Sequence, residues 1–106
     1  MVEMDQIEQF AQDVGREFQP DRVVLFGSYV YGAPNPDSDV DILVIMPHEG
    51  KGWRQATEIR RRVRPHFPMD LLVRSAEQVK ERVALGDWFL REIMEKGRVL
   101  YEARHE

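Results

Sequence analysis

A chain of 106 residues with a formal net charge of −4 has room for one domain over residues 1–106 and for a modest core, since a chain of this length buries roughly 60–70% of its unfolded surface. The lack of cysteine excludes disulfides and thiolate metal sites. Net acidity argues against bulk nucleic-acid binding, which is dominated by phosphate neutralisation. No apolar run approaches the roughly 20 residues of a membrane span, and Met1-Val2-Glu3-Met4-Asp5 has neither the basic region nor the apolar stretch of a secretory signal. No membrane association and a cytoplasmic location are therefore expected.

In chain order, Met4, Ile7, Phe10, Ala11, Val14 and Phe18 fall on one helical stripe. Val23-Val24-Leu25-Phe26 is a short apolar run that reads as a buried strand, closed by Gly27 where the chain must leave the sheet. A second strand runs from Asp39 to Met46. A turn follows over Pro47 to Gly52, and Trp53, Ala56, Ile59 and Val63 then mark a helix that Pro65 and Pro68 terminate. Met69-Asp70-Leu71-Leu72-Val73 is a third strand. Ser75-Ala76-Glu77-Gln78 forms a capping box for the next helix, Asp87 N-caps another that stops at Gly97, and a short strand closes the chain. Helices packed mainly on one face of a small mixed β-sheet are expected, with the edge that carries the aspartates left open. The class is α+β.

The chemistry lies around the first turn. Side chains alternate along a strand with a rise of roughly 3.3 Å per residue, so Asp39 and Asp41 are expected on one face and Val40, Ile42 and Val44 on the other. Two ionised carboxylates about 5 Å apart repel by on the order of 3 kcal/mol at an effective dielectric near 20. A hard dication between them reverses the sign, and oxygen ligands suit Mg²⁺ or Mn²⁺ held jointly with substrate phosphates. The alternative is a solvated, acidic strand edge that resists aggregation. Gly27 permits close backbone approach, and a short helix from Ser28 would turn free N–H groups and a hydroxyl toward a phosphate; a plain N-cap is the alternative for Ser28. Asp70 opens its strand just as Asp39 and Asp41 open theirs. With neighbouring strands roughly 4.8 Å apart, it could complete a trio of carboxylates; a strand-end cap after Pro68 is the other reading.

Three other motifs fail by position. Asp37-Ser38-Asp39-Val40-Asp41 imitates a calcium loop, but Ile42 stands where its glycine is required. No glycine sits two residues before Ser28, as a nucleophile elbow needs. The further glycines of a dinucleotide loop, and the Gly-Lys-Ser/Thr ending of a P-loop, are also missing.

Gly27-Ser28, ten intervening residues, then Asp39-Val40-Asp41 resembles the signature of the minimal nucleotidyltransferases of the DNA polymerase β superfamily. The strand at Met69–Val73 resembles the one bearing that family's third carboxylate, and Gly97-Arg98-Val99-Leu100-Tyr101-Glu102 resembles its usual ending. The resemblance implies a polymerase β-like fold and metal-dependent transfer of a nucleoside monophosphate, AMP above all, from an NTP such as ATP to a hydroxyl. It implies Gly27 and Ser28 at the β- and γ-phosphates. Asp39 and Asp41 would bridge two Mg²⁺ or Mn²⁺ ions, with Asp70 binding the catalytic ion and helping to deprotonate the acceptor. It also implies a small helical partner of the HEPN toxin type, modified on a tyrosine, with this chain as antitoxin. A non-catalytic module that binds nucleotide or masks a toxin is the alternative.

One departure stands out. Tyr29, Val30 and Tyr31 occupy positions where many relatives carry arginine, so an arginine from elsewhere, such as Arg22 or Arg54, is expected to meet the triphosphate. The tyrosines read first as packing, with base stacking or nucleotide acceptance by Tyr31 as alternatives. Arg54, Arg60, Arg61, Arg62 and Arg64 form a basic cluster that reads first as a solvated helix face, with contact to a nucleotide, an RNA or an acidic partner surface as the alternative. His48, His66 and His105 lack paired metal-ligand spacing and are assigned no chemistry. Trp53, Trp88 and Phe89 read as core or interface. Trp88-Phe89-Leu90 with Ile93 and Met94 is more apolar than one helix stripe needs, leaving room for a partner or an oligomer contact.

Overall fold

The expected elements form in the expected order in the computed structural model, which describes residues 1–104. They are α1 (Met4–Phe18), β1 (Arg22–Phe26), the single turn α2 (Ser28–Tyr31), β2 (Val40–Ile45), α3 (Gly52–Arg62), β3 (Met69–Arg74), α4 (Ala76–Ala84), α5 (Trp88–Lys96) and β4 (Arg98–Glu102). His105 lies outside the described residues. Ser75 Oγ accepts from the Gln78 backbone N–H at 3.1 Å while Gln78 Oε1 accepts from the Ser75 N–H at 2.8 Å, the reciprocal box read from the sequence. Asp87 Oδ1 accepts from the Leu90 N–H at 3.0 Å and starts α5. That bond, with Arg82 nearby, holds the Asp87 carboxyl below the usual range.

The four strands lie in the order β3-β2-β1-β4. β1 is antiparallel to both its neighbours, and β2 and β3 are parallel. A parallel pair needs a crossover, and α3 supplies it between β2 and β3. The sheet is thus mixed, with β1 and β2 central. Both are apolar almost throughout because both faces are covered.

Here the expectation of helices mainly on one face is corrected. α1 and α3 cover one face, where Ile7, Phe10, Val14 and Ile59 meet Val23, Leu25, Ile42, Val44 and Val73. α4 and α5 cover the other, where Val79, Leu90 and Ile93 meet Val24, Phe26, Leu43 and Ile45. The cause is the unbroken apolar content of β1 and β2. Each fully buried Leu or Ile contributes roughly 1.5–3 kcal/mol, and leaving Val24, Leu43 and Ile45 in water would forfeit that. Of the two readings open for the tryptophans, core and interface, the first is excluded, since Trp53 and Trp88 are 64% and 78% exposed. No helix among the described residues is long and apolar enough to cross a membrane.

α1 packs against β4 at Gly15, where an added Cβ would overlap the Tyr101 ring. Glycine inside a helix ordinarily costs about 1 kcal/mol relative to alanine, so Gly15→Ala would stabilise an isolated helix. Here it is expected to destabilise by roughly 1–3 kcal/mol through overpacking. Urea denaturation should show the loss, and Gly15→Ala combined with Tyr101→Ala should show a smaller penalty than the sum of the single changes. Additive penalties would contradict the contact.

Candidate active site

Strand register builds the site. Phe26 pairs with Asp41 across the antiparallel β1–β2 ladder, and Asp41 pairs with Asp70 across the parallel β2–β3 ladder. One row therefore crosses three strands where β1 ends and β2 and β3 begin. Val40, Ile42, Met69 and Leu71 belong to the core under α1 and α3, so alternation turns Asp41 and Asp70 to the α5 face. The Val40 N–H donates to the Pro68 carbonyl at 3.2 Å and carries the parallel ladder to its end.

Asp41 sits directly across the parallel ladder from Asp70, and its pKa is raised to about 6. Burial is the largest cause, followed by the charge of Asp70, the hydrogen bond to it and the charge of Asp39. Gly27 completes the corner. Its φ of 78° lies in the left-handed region, and a Cβ there would overlap Asp41 Oδ2. Only a residue without a side chain lets the backbone turn this close to the carboxyl. The Gly27 carbonyl accepts from the Val30 and Tyr31 N–H groups, each at 2.9 Å, and starts α2.

These residues line a hollow of about 580 Å³ together with Tyr31, Arg60, Leu72, Phe89, Glu92 and Ile93. α5 forms one wall, so the aspartate edge is less open than the sequence reading expected. Phe89 meets Phe26 edge-on, with ring centroids 5.5 Å apart. Burial, then the charges of Glu92 and Asp41, pushes the Tyr31 hydroxyl above its ordinary pKa.

Of the residues named from the sequence, Gly27, Asp41 and Asp70 line this hollow. Ser28 is the first residue of α2, next to Gly27, and is not part of the lining. Asp39 is exposed, sits just before β2 and lines a neighbouring hollow with Tyr29, His66 and Pro68. Among the described residues no three acidic or histidine side chains converge closely enough to hold a metal. The close pair is Asp41 and Asp70, with Asp39 acting on it through charge. That donor set fits a magnesium-type ion, which is usually held by one or two carboxylates plus substrate phosphates.

The arginine expectation is corrected as well. Arg22 pairs with Glu102 at 2.7 Å, four residues along β1 from Phe26 and so roughly 13 Å from the row. Arg54 lies over the Trp53 ring, 5.4 Å from its centroid. The arginine that reaches the hollow is Arg60, whose Nη2 donates to the Met69 carbonyl at 2.6 Å. Sequence reasoning placed Arg60 in a cluster read first as a solvated face, with nucleotide contact as an alternative. A signal was available in its position beside Ile59, late in the crossover helix that leads into β3.

Comparison with known proteins agrees with the motif and the fold. The model of the nucleotidyltransferase domain matches residues 7–102. A crystal structure of a Sulfolobus solfataricus protein assigned to the nucleotidyltransferases superposes with a TM-score of 0.65 at 20% identity, covering 93% of this chain and 79% of that one. No curated protein matches the sequence. The fold is that of a nucleotide-dependent transferase. This chain belongs to the nucleotidyltransferase domain family. Membership carries nucleotidyl transfer as the general activity and an NTP as donor, in a family that generally uses divalent metals.

The Asp41 pKa makes a testable link to stability. A carboxyl near 3.8 when unfolded and about 6 when folded favours folding below pH 4, and that contribution disappears as the pH rises through 6. In EDTA, wild type is expected to lose on the order of 1 kcal/mol relative to Asp41→Asn between pH 4 and 7, after allowance for solvent screening. Mg²⁺ or Mn²⁺ at pH 7 should restore wild type and leave the variant unchanged. Parallel urea stability curves across this range would contradict the like-charge pair.

Proposed function

We propose that the protein transfers a nucleoside monophosphate, AMP from ATP, to a hydroxyl acceptor at the hollow beside Gly27. The observation that carries this is the Asp41–Asp70 pair, seated in register on adjacent strands against a glycine that has no room for a side chain. Asp41 and Asp70, joined by Asp39, would hold Mg²⁺ or Mn²⁺, which supplies charge neutralisation on the phosphates. The Gly27 turn, with Ser28 following, takes the β- and γ-phosphates. Asp70 accepts the proton of the acceptor hydroxyl as the acceptor oxygen bonds to the α-phosphorus. The bond from that phosphorus to the bridging oxygen breaks, and pyrophosphate leaves.

The acceptor we propose, on the resemblance to minimal nucleotidyltransferases, is a tyrosine of a small helical HEPN-type protein, with this chain as its antitoxin. The exposed apolar side chain of Phe89, which lines the hollow, and those of Trp88 and Leu85 near it in the chain support a protein partner. One observation favours the non-catalytic alternative: Asp39 stands outside the lining that holds Asp41 and Asp70. A nucleotide-binding or toxin-masking module would need no closer trio.

Incubation with ATP labelled at the α-phosphate, Mn²⁺ or Mg²⁺ and a copurified helical partner is expected to label the partner and release pyrophosphate. Asp41→Asn and Asp70→Asn should each lower transfer at least 100-fold with unchanged circular dichroism, and Asp39→Asn should lower it as well. An unaffected Asp39→Asn would confine the carboxylate site to the pair. Metal-dependent ATP binding without label transfer to any partner would establish the masking module instead.

A further inference from the structure

Arg60 is the only basic side chain among those lining the hollow, which also carries the carboxylates of Asp41, Asp70 and Glu92. A polyphosphate entering there meets acidic groups on two sides and one fixed positive charge. Neighbouring arginines are differently engaged: Arg61 pairs with Glu58 at 2.7 Å and Arg62 with Glu17 at 2.8 Å. Arg60 makes no ion pair among the described residues. Its one hydrogen bond, to the Met69 carbonyl, commits a single N–H of the five a guanidinium carries. The remaining donors form a planar fork suited to phosphate oxygens.

Position along the strand row narrows the assignment. From β1 outward the row runs through Gly27 and Phe26, Asp41, Asp70 and then the β3 edge, where Met69 anchors Arg60. Gly27 and Arg60 are thus at opposite ends, separated by about two strand spacings, or roughly 10 Å. Resting on the proposed reading of the Gly27 end as the site of the β- and γ-phosphates, we infer that Arg60 binds the α-phosphate of the donor nucleotide beside Asp70. It stands in for the arginines missing from Tyr29-Val30-Tyr31. Its charge lies where the phosphorus is attacked, so its loss lowers turnover as well as affinity.

Displacement of a fluorescent ATP analogue in the presence of Mg²⁺ tests this with AMP, pyrophosphate and α,β-methylene-ATP as competitors. Arg60→Gln retains a donor for the Met69 carbonyl but not the charge, whereas Arg60→Lys retains the charge. Arg60→Gln is expected to weaken AMP and α,β-methylene-ATP tenfold or more, to leave pyrophosphate within twofold, and to melt as wild type does. Arg60→Lys should recover part of the loss. Equal competition by AMP in wild type and Arg60→Gln, or a loss confined to pyrophosphate, would overturn the assignment while the nucleotide reading stands. Rescue by Gln rather than Lys would also overturn it, making Arg60 a tie for β3. Failure of wild type to bind the fluorescent nucleotide at all would remove the proposed function and this inference together.

Discussion

Everything at the site depends on the parallel pairing of β2 with β3, which sets Asp41 directly beside Asp70. Like charges opposite one another on a sheet are destabilising, so the local chemistry opposes this register. The cores on the two faces impose it. A slip of one residue would turn Ile42 and Val44 out of the α1–α3 core and Leu43 and Ile45 out of the α4–α5 core. Asp41 is the sole interruption in the buried run from Val40 to Met46. The protein accommodates the strained pair because the flanking residues leave no other register, and partial protonation relieves the charge.

The same doubly covered sheet places the site at one end. β1 finishes where β2 and β3 start, so backbone must depart from the row at Gly27 while two strands arrive at it. The departing chain turns within contact of Asp41, and α2 begins at once. α3 is needed to bring β3 parallel to β2, and its last turns bring Arg60 round the β3 edge. Topology therefore assembles carboxylates, turn and cation from segments as far apart in sequence as Gly27 and Asp70.

Much of this was legible in the sequence. Helix boundaries followed from caps at Ser75 and Asp87, and the place of Asp70 at the head of its apolar run set it beside Asp41. Two-sided burial was written in the apolar runs of β1 and β2, but Asp39 and Asp41 drew attention to a single polar face and obscured it. Strand parity also placed Asp39 with Asp41. It applies only within a strand, and β2 begins at Val40, so Asp39 belongs to the preceding loop, in which Asn35 hydrogen-bonds Asp37 and Ser38. Arg60 was not singled out from its basic cluster, because its long side chain reaches the strand edge by a tertiary contact. For the tryptophans, bulk and apolarity left core and interface both open, and the exposure of Trp53 and Trp88 excludes the core.

The environments of the two paired carboxyls differ, and the difference supports a division of labour. Asp41 is partly buried against Gly27 and has its pKa raised, so it is poorly placed to meet a molecule arriving from solvent and well placed to grip what the turn already holds. Asp70 is exposed at the edge strand, beside the carbonyl that anchors Arg60. A group that takes a proton from an external hydroxyl must be reachable by it, and of the pair that condition favours Asp70. Neighbouring titratable groups with contrasting surroundings commonly take separate roles in this way. On the proposed reading, the same asymmetry would put donor phosphates at the inner, glycine-bound end and bring the acceptor over the β3 edge; Phe89 and Glu92 of α5 wall the hollow between them.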